Sequence, residues 1–203
     1  MNNFAIEKIE EKITQTIKDL INDFKSYPDK YLTESDVRCF LFKKLVKSQR
    51  LAQLQRTKDN SSSIPLHTEV RWYGKYGKLK WRSDIVVVDV SSLKVKNNIF
   101  RLPSKGYEFN KPLAIIEIKL RRTKGDTNNA FIKKVQKDIS KLKEIKKEIP
   151  GNYPCYLVVL DKKDDIQEKI ARTDDVKIYY KYSNNCNAMA DNNEELAIQS
   201  QRI

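Results

Sequence analysis

A chain of 203 residues with 39% hydrophobic residues can bury one sizeable core, and only five glycines and six prolines exclude a loop-dominated or fibrous chain. Forty Lys and Arg against 27 Asp and Glu give a formal net charge of +13, which favours a polyanionic partner, nucleic acid first and an anionic membrane surface second. The three cysteines, Cys39, Cys155 and Cys186, are too widely spaced for a disulfide framework or a zinc site, and no apolar run nears the ~20 residues of a membrane span. A cytoplasmic protein in a reducing compartment, with no signal-peptide core at its N-terminus, is the expectation.

Ile6, Ile9, Ile13, Ile17, Leu20 and Phe24 recur at helical spacing and predict an amphipathic first helix within residues 1–30. Pro28 punctuates it, and Thr33 is a good N-cap for a second helix through about Val46 with the apolar stripe Val37, Leu41 and Leu45. A polar loop leads to LHTEVRWYG and KYGKLKWRS, which read as a hairpin. DIVVVDV, LAIIEIKL and CYLVVL are short, apolar runs expected as central strands. Residues 91–112 are a polar insertion between the first two of these. A helix over about 130–147 separates the last two, a short helix is expected near 163–172, and VKIYYKY closes the fold. Residues 183–203 read as a loosely ordered tail. Strand–helix–strand from 113 to 160 implies a right-handed parallel crossover. The expected architecture is α/β: a three-layer α/β/α sandwich around a central mixed sheet, one domain over residues 1–182.

AIIEIKL places two opposite charges, Glu117 and Lys119, inside an otherwise apolar strand. A buried charge is costly unless it is paired or bound to a metal. On one strand face the two lie ~7 Å apart. Asp84 opens the preceding apolar run on the face of Val86 and Val88; if the strands are neighbours, Asp84 and Glu117 converge. Two carboxylates with waters and phosphate oxygens are a good holder of Mg²⁺, with Lys119 beside them as a compact cation. Such a site suits phosphodiester hydrolysis. The competing reading of Glu117 and Lys119 is a salt bridge at a sheet surface.

RSDIVVVD followed by IIEIKL resembles the PD-(D/E)XK nuclease superfamily, with its restriction-endonuclease-like fold, over roughly Thr33 to Tyr182. Ser83 stands where the motif's name has proline, and the insertion at 91–112 lengthens the interval between the motif acids. The resemblance implies Asp84 and Glu117 as ligands of Mg²⁺ or Mn²⁺ and Lys119 as the catalytic lysine. It makes Glu34, in LTESDVRCFLFKKL, an additional active-site acid. Gln136 and Asp138, in VQKDISKL, match polar positions on the helix after the motif strand, with Gln136 as an accessory residue.

Helix geometry supports the choice of Glu34: it shares the face of Val37, Leu41 and Leu45, whereas Asp36 is about 200° around the helix. Arg121, Arg122 and Lys124 follow the motif strand and are expected to rim the cleft as phosphate contacts. Arg82 lies among the aromatics Trp72, Tyr73, Tyr76 and Trp81, which serve equally as base-stacking platforms or as cross-strand packing. Asp89 falls on the opposite strand face from Asp84, Glu69 reads as an exposed edge charge rather than a cleft residue, and His67, the only histidine, has no second histidine or cysteine near it in the sequence and reads as a surface residue. The expected activity is a Mg²⁺-dependent endonuclease acting on DNA without a membrane partner, homodimerisation being left open. The alternative is a non-catalytic nucleic-acid-binding module that keeps a nuclease-like fold.

Overall fold

The computed structural model describes residues 3–73, 79–95, 111–149 and 151–183. The expected tail, most of the insertion expected at 91–112, and Tyr76 of the hairpin lie outside the described residues.

Helix α1 (Asn3–Ser26) buries Ile9, Ile13, Ile17, Leu20 and Phe24, the stripe that its spacing dictates. A single 3₁₀ turn at Pro28–Lys30 redirects the chain into α2 (Glu34–Leu45). Thr33 caps α2 through its side chain, and the Asp36 carboxylate accepts the backbone N–H groups of Thr33 (2.8 Å) and Leu32 (2.9 Å), completing a capping box. Those amides hold the Asp36 carboxyl below its ordinary value. The polar stretch that follows contains a short helix, α3 (Gln49–Ala52), and a small ribbon of β1 (Gln55–Arg56) with β2 (Ser62–Ser63).

Five strands form the central sheet in the spatial order β3 (Leu66–Tyr73), β4 (Leu79–Val88), β5 (Pro112–Arg121), β6 (Cys155–Asp161), β7 (Lys177–Tyr182). β4 runs antiparallel to both of its neighbours, β3 and β5, whereas β5, β6 and β7 run parallel, so the sheet is mixed. Helix α4 (Asn128–Glu148) is the crossover between β5 and β6, as a parallel pair requires. On one face of the sheet, α1 and α2 pack against Ile85, Val87, Ala114, Ile116, Ile118 and Val158. On the other, Phe131, Val135, Ile139 and Leu142 of α4 pack against Val86, Val88, Ile115, Leu157 and Val159. The result is an α/β chain with helices on both faces, and β5 and β6 are apolar on both sides because both sides are covered.

The helix expected near 163–172 is replaced by one 3₁₀ turn, Gln167–Lys169. Its amides are taken by side chains instead: Asp161 Oδ1 accepts Lys163 N (2.9 Å), and the Tyr180 hydroxyl oxygen accepts Ile166 N (2.9 Å). A local side-chain acceptor of this kind competes with the helical ladder. Among the described residues no helix is long and apolar enough to cross a membrane.

Candidate active site

The site arises where two neighbouring strands separate. β4 pairs with β5 only from Ile85↔Ile116 to Val88↔Pro112, while β5 runs on to Arg121. The β5 amides past that point have lost their β4 partners, and buried N–H groups must find others. Asp84 Oδ2 accepts Ile118 N at 2.8 Å, and Glu34 Oε1 accepts Leu120 N at 3.3 Å. The two acids drawn from distant parts of the chain therefore sit along the opened edge of the strand that carries Glu117 and Lys119.

At Asp84 the strands also exchange faces. Leu66 belongs to the α1/α2 core, yet Val70 and Trp72, also at even positions, belong to the α4 core. The inversion passes through Glu69, which holds a positive φ of 55°. That conformation is costly for a residue with a Cβ and is held only where its surroundings enforce it. Glu69 is held by two arginines, Arg38 from α2 and Arg82 at 2.9 Å. Arg38 Nη1 also stands 3.5 Å from Asp84 Oδ1. Glu69, read from the sequence as an edge-strand charge, is thus tied to the periphery of the site.

Glu117 is 2% exposed and projects toward α4. Its Oε2 accepts Lys141 Nζ at 2.7 Å, whereas its Oε1 is buried and has no hydrogen-bond partner. Burial pushes the Glu117 carboxyl up to about 8; Lys141 opposes that shift, and the charges of Asp84 and Asp138 add to it. Lys119 Nζ lies 3.2 Å from both Glu34 Oε1 and Asp138 Oδ2. Burial, the largest influence, works against its charge, but Asp138 and Glu34 together outweigh it and hold the ammonium above its ordinary value. At neutral pH Lys119 is a firm cation and not a proton acceptor. Asp138 completes the cluster and is also 3.3 Å from Lys141.

An open cleft of about 800 Å³ lies over this cluster, lined by Glu34, Lys119, Asp138 and Lys141 and flanked by Lys80, Arg82, Lys134 and Lys137. The structure therefore brings together Glu34, Asp84, Glu117 and Lys119, four residues spread over 86 positions of chain. Gln136 is not part of the gathering: about 200° around α4 from Asp138, it does not line the cleft. Lys141 was not legible in advance, because in KDISKLKEIKK a lysine among lysines carries no mark of its partner.

Arg121 requires a correction. Expected as an exposed phosphate contact, it has a fully buried side chain, as has its partner Asp161. Arg121 Nε and Nη2 meet the two oxygens of Asp161 at 2.9 and 2.5 Å, Nη1 donates to Asn128, and the guanidinium stacks over Phe131. The end of β5 turns this side chain under the loop after β6, so Arg121 joins β5, β6 and the start of α4 and cannot reach a ligand in the cleft. Arg122 and Lys124, on the next turn, are exposed.

Compared with protein-family models, with curated proteins and with solved structures, the chain matches none of them. Among the described residues no three or more His, Cys, Asp or Glu side chains form a ready metal cage. Mg²⁺ needs only one or two carboxylates, the rest of its shell being water and substrate oxygens. Glu117 Oε1 is buried with no hydrogen-bond partner, near the negative charge of Asp84, and is an oxygen donor that a cation could use. The donor set fits a hard divalent ion.

Proposed function

We propose that this chain is a metal-dependent nuclease with a restriction-endonuclease-like core, hydrolysing phosphodiester bonds of DNA. The observation that carries the reading is Glu117, a buried carboxylate with an unpartnered oxygen at the point where β4 leaves β5. An oxygen left without a partner costs about 1–3 kcal/mol, more for a charged group, and a bound cation would remove that cost. Asp84 and Glu117 would hold Mg²⁺ or Mn²⁺. Such an ion, when bound, would supply Lewis-acid stabilisation of the phosphate and lower the pKa of water.

The remaining work falls to this chain's side chains. Lys119, cationic at neutral pH, is placed to neutralise the negative charge that gathers on the scissile phosphate. Glu34 and Asp138, each 3.2 Å from that ammonium, orient it. Lys80, Arg82, Lys134 and Lys137 flank the cleft, and the net charge of +13 draws a polyanion toward it. The deciding experiment incubates purified protein with single-stranded, duplex and branched DNA in Mg²⁺, Mn²⁺ or chelator. Cleavage that needs the divalent ion is expected; DNA binding without cleavage in any ion would leave the non-catalytic binding module.

Two further outcomes follow from the geometry. Glu34→Gln should slow cleavage about tenfold or more, because it removes charge beside Lys119 while leaving an acceptor for Leu120 N. Asp36→Asn should leave the rate unchanged, since Asp36 serves the cap of α2. Rates on one substrate and melting curves for both variants check this, and equal rates would return Glu34 to a purely structural role. Neutralising Arg122 and Lys124 together should flatten the slope of log affinity against log salt by about two units, if each contacts one phosphate. An unchanged slope would mean that this turn faces away from DNA.

A further inference from the structure

The proposed hydrolysis leaves Lys141 without a role. Its ammonium meets Glu117 Oε2 at 2.7 Å, Asp138 Oδ1 at 3.3 Å and the Arg82 backbone carbonyl at 3.0 Å. It is largely covered, with its side chain 18% exposed, and it borders the open cleft. The three contacts are all of the kind that a hard cation makes with oxygens, and one of them is to a carboxylate whose other oxygen is unpartnered.

We propose that Lys141 is an exchangeable counter-cation of Glu117, holding the carboxylate in place while no metal is bound and leaving it when a divalent cation arrives. This rests on reading Glu117 as a metal ligand. Once ionised, the buried Glu117 carboxylate cannot be left without a cation cheaply, so a resident ammonium keeps the empty site assembled. Once a divalent ion occupies Glu117, an ammonium within 3 Å of the same carboxylate is repelled, and like charges at such range do not share one acceptor group without cost. Its exit is open, because the four-carbon stem of a lysine is flexible and the cleft lies beside it. In the cleft the freed ammonium is available to a phosphate oxygen of the substrate. The device would couple arrival of metal to the appearance of one more phosphate-binding cation.

The test uses the wild-type chain with Ca²⁺, an oxygen-seeking ion of the same charge. Calorimetry first establishes Ca²⁺ binding and its loss in Glu117→Gln. Lysines are then acetylated with limiting reagent, in chelator and at saturating Ca²⁺, and the labelled positions are read by mass spectrometry. Lys137, exposed on the same helix, is the internal reference. Lys141 is expected to be protected relative to Lys137 in chelator and to become several-fold more reactive in Ca²⁺, with Lys137 unchanged. Equal protection of Lys141 in both conditions, with Ca²⁺ bound, would overturn the exchange and leave the metal-site reading standing. Absence of any Ca²⁺ binding that Glu117→Gln removes would overturn both.

Discussion

Glu117→Gln is expected to lower Mg²⁺-dependent DNA cleavage by about 100- to 1,000-fold, the range seen when one preorganised charge-stabilising group is lost. At a pH where Glu117 is ionised, DNA binding should be kept or strengthened, because the substitution then removes a negative charge beside the proposed DNA-binding cleft. Asp84→Asn should behave in the same way, its amide oxygen still accepting Ile118 N. Lys119→Ala should slow cleavage while leaving metal binding in place. Cleavage by Glu117→Gln at the wild-type rate on several substrates would remove the assignment.

The same substitution has a signature that needs no substrate. The Glu117 carboxyl is raised from 4.5 to about 8 in the folded chain, with burial the first cause. Between those values the folded chain keeps a proton that the unfolded chain has released, so stability falls as pH rises through the window. One proton of difference corresponds to about 1.4 kcal/mol per pH unit at most. Glu117→Gln has no proton to lose there. Urea titrations in chelator at several pH values between about 5 and 7.5 should show wild type losing stability relative to the variant as pH increases. Parallel curves would mean that Glu117 is ionised throughout, held so by Lys141.

Arg121→Leu is expected to destabilise the fold more than any single change at Lys119, Arg122, Lys124 or Lys141. It strands the Asp161 carboxylate, which is wholly buried, and breaking such a pair from one side costs about 3–5 kcal/mol. For a domain of this size that is a fall of roughly 10 °C in melting temperature. Arg121→Leu combined with Asp161→Leu should recover part of the loss, since a buried pair replaced by apolar residues is often near neutral. Recovery will be incomplete, because Asn128 and the Lys163 N–H also lose their partner. Whatever Arg121→Leu does to stability, the salt dependence of DNA binding in the still-folded variant should match wild type. A reduced slope would restore Arg121 as a phosphate contact.

The contrast between Arg121 and Glu117 marks how far residue order alone can be read. Both are charges within the largely apolar strand β5. For Glu117 the signal is local: the residues on either side are apolar on both faces, so a charge there demands a special environment. For Arg121 the local signal is misleading, because its neighbours Arg122 and Lys124 are solvated and its partner Asp161 is 40 residues away. The stripes of α1 and α2, the Thr33 cap, the apolar strands and the parallel crossover are likewise written in short-range periodicity and in capping chemistry. Those patterns depend on residues within a few positions of each other, and they survive into the structure almost unchanged. Glu34 could be chosen over Asp36 for the same reason, by the angle between two positions on one helix.

Long-range placement has no such pattern. β4 pairs with β5 only from Ile85 onward, and next to that point the face inversion passes through Glu69, which two arginines hold. Only that parting exposes the amides of Ile118 and Leu120 and brings Asp84 and Glu34 to them. The choice of Asp138 over Gln136, and of Lys141 over every other lysine on α4, depends on how that helix is rotated against the sheet. Its rotation is set by Phe131, Val135, Ile139 and Leu142 packing into the core, a sum of many weak contacts with strands distant in sequence. The chemistry-bearing residue types were thus visible in the order of residues, whereas their partners were decided by tertiary packing, because a charge selects its counter-ion by distance in space and not by distance along the chain.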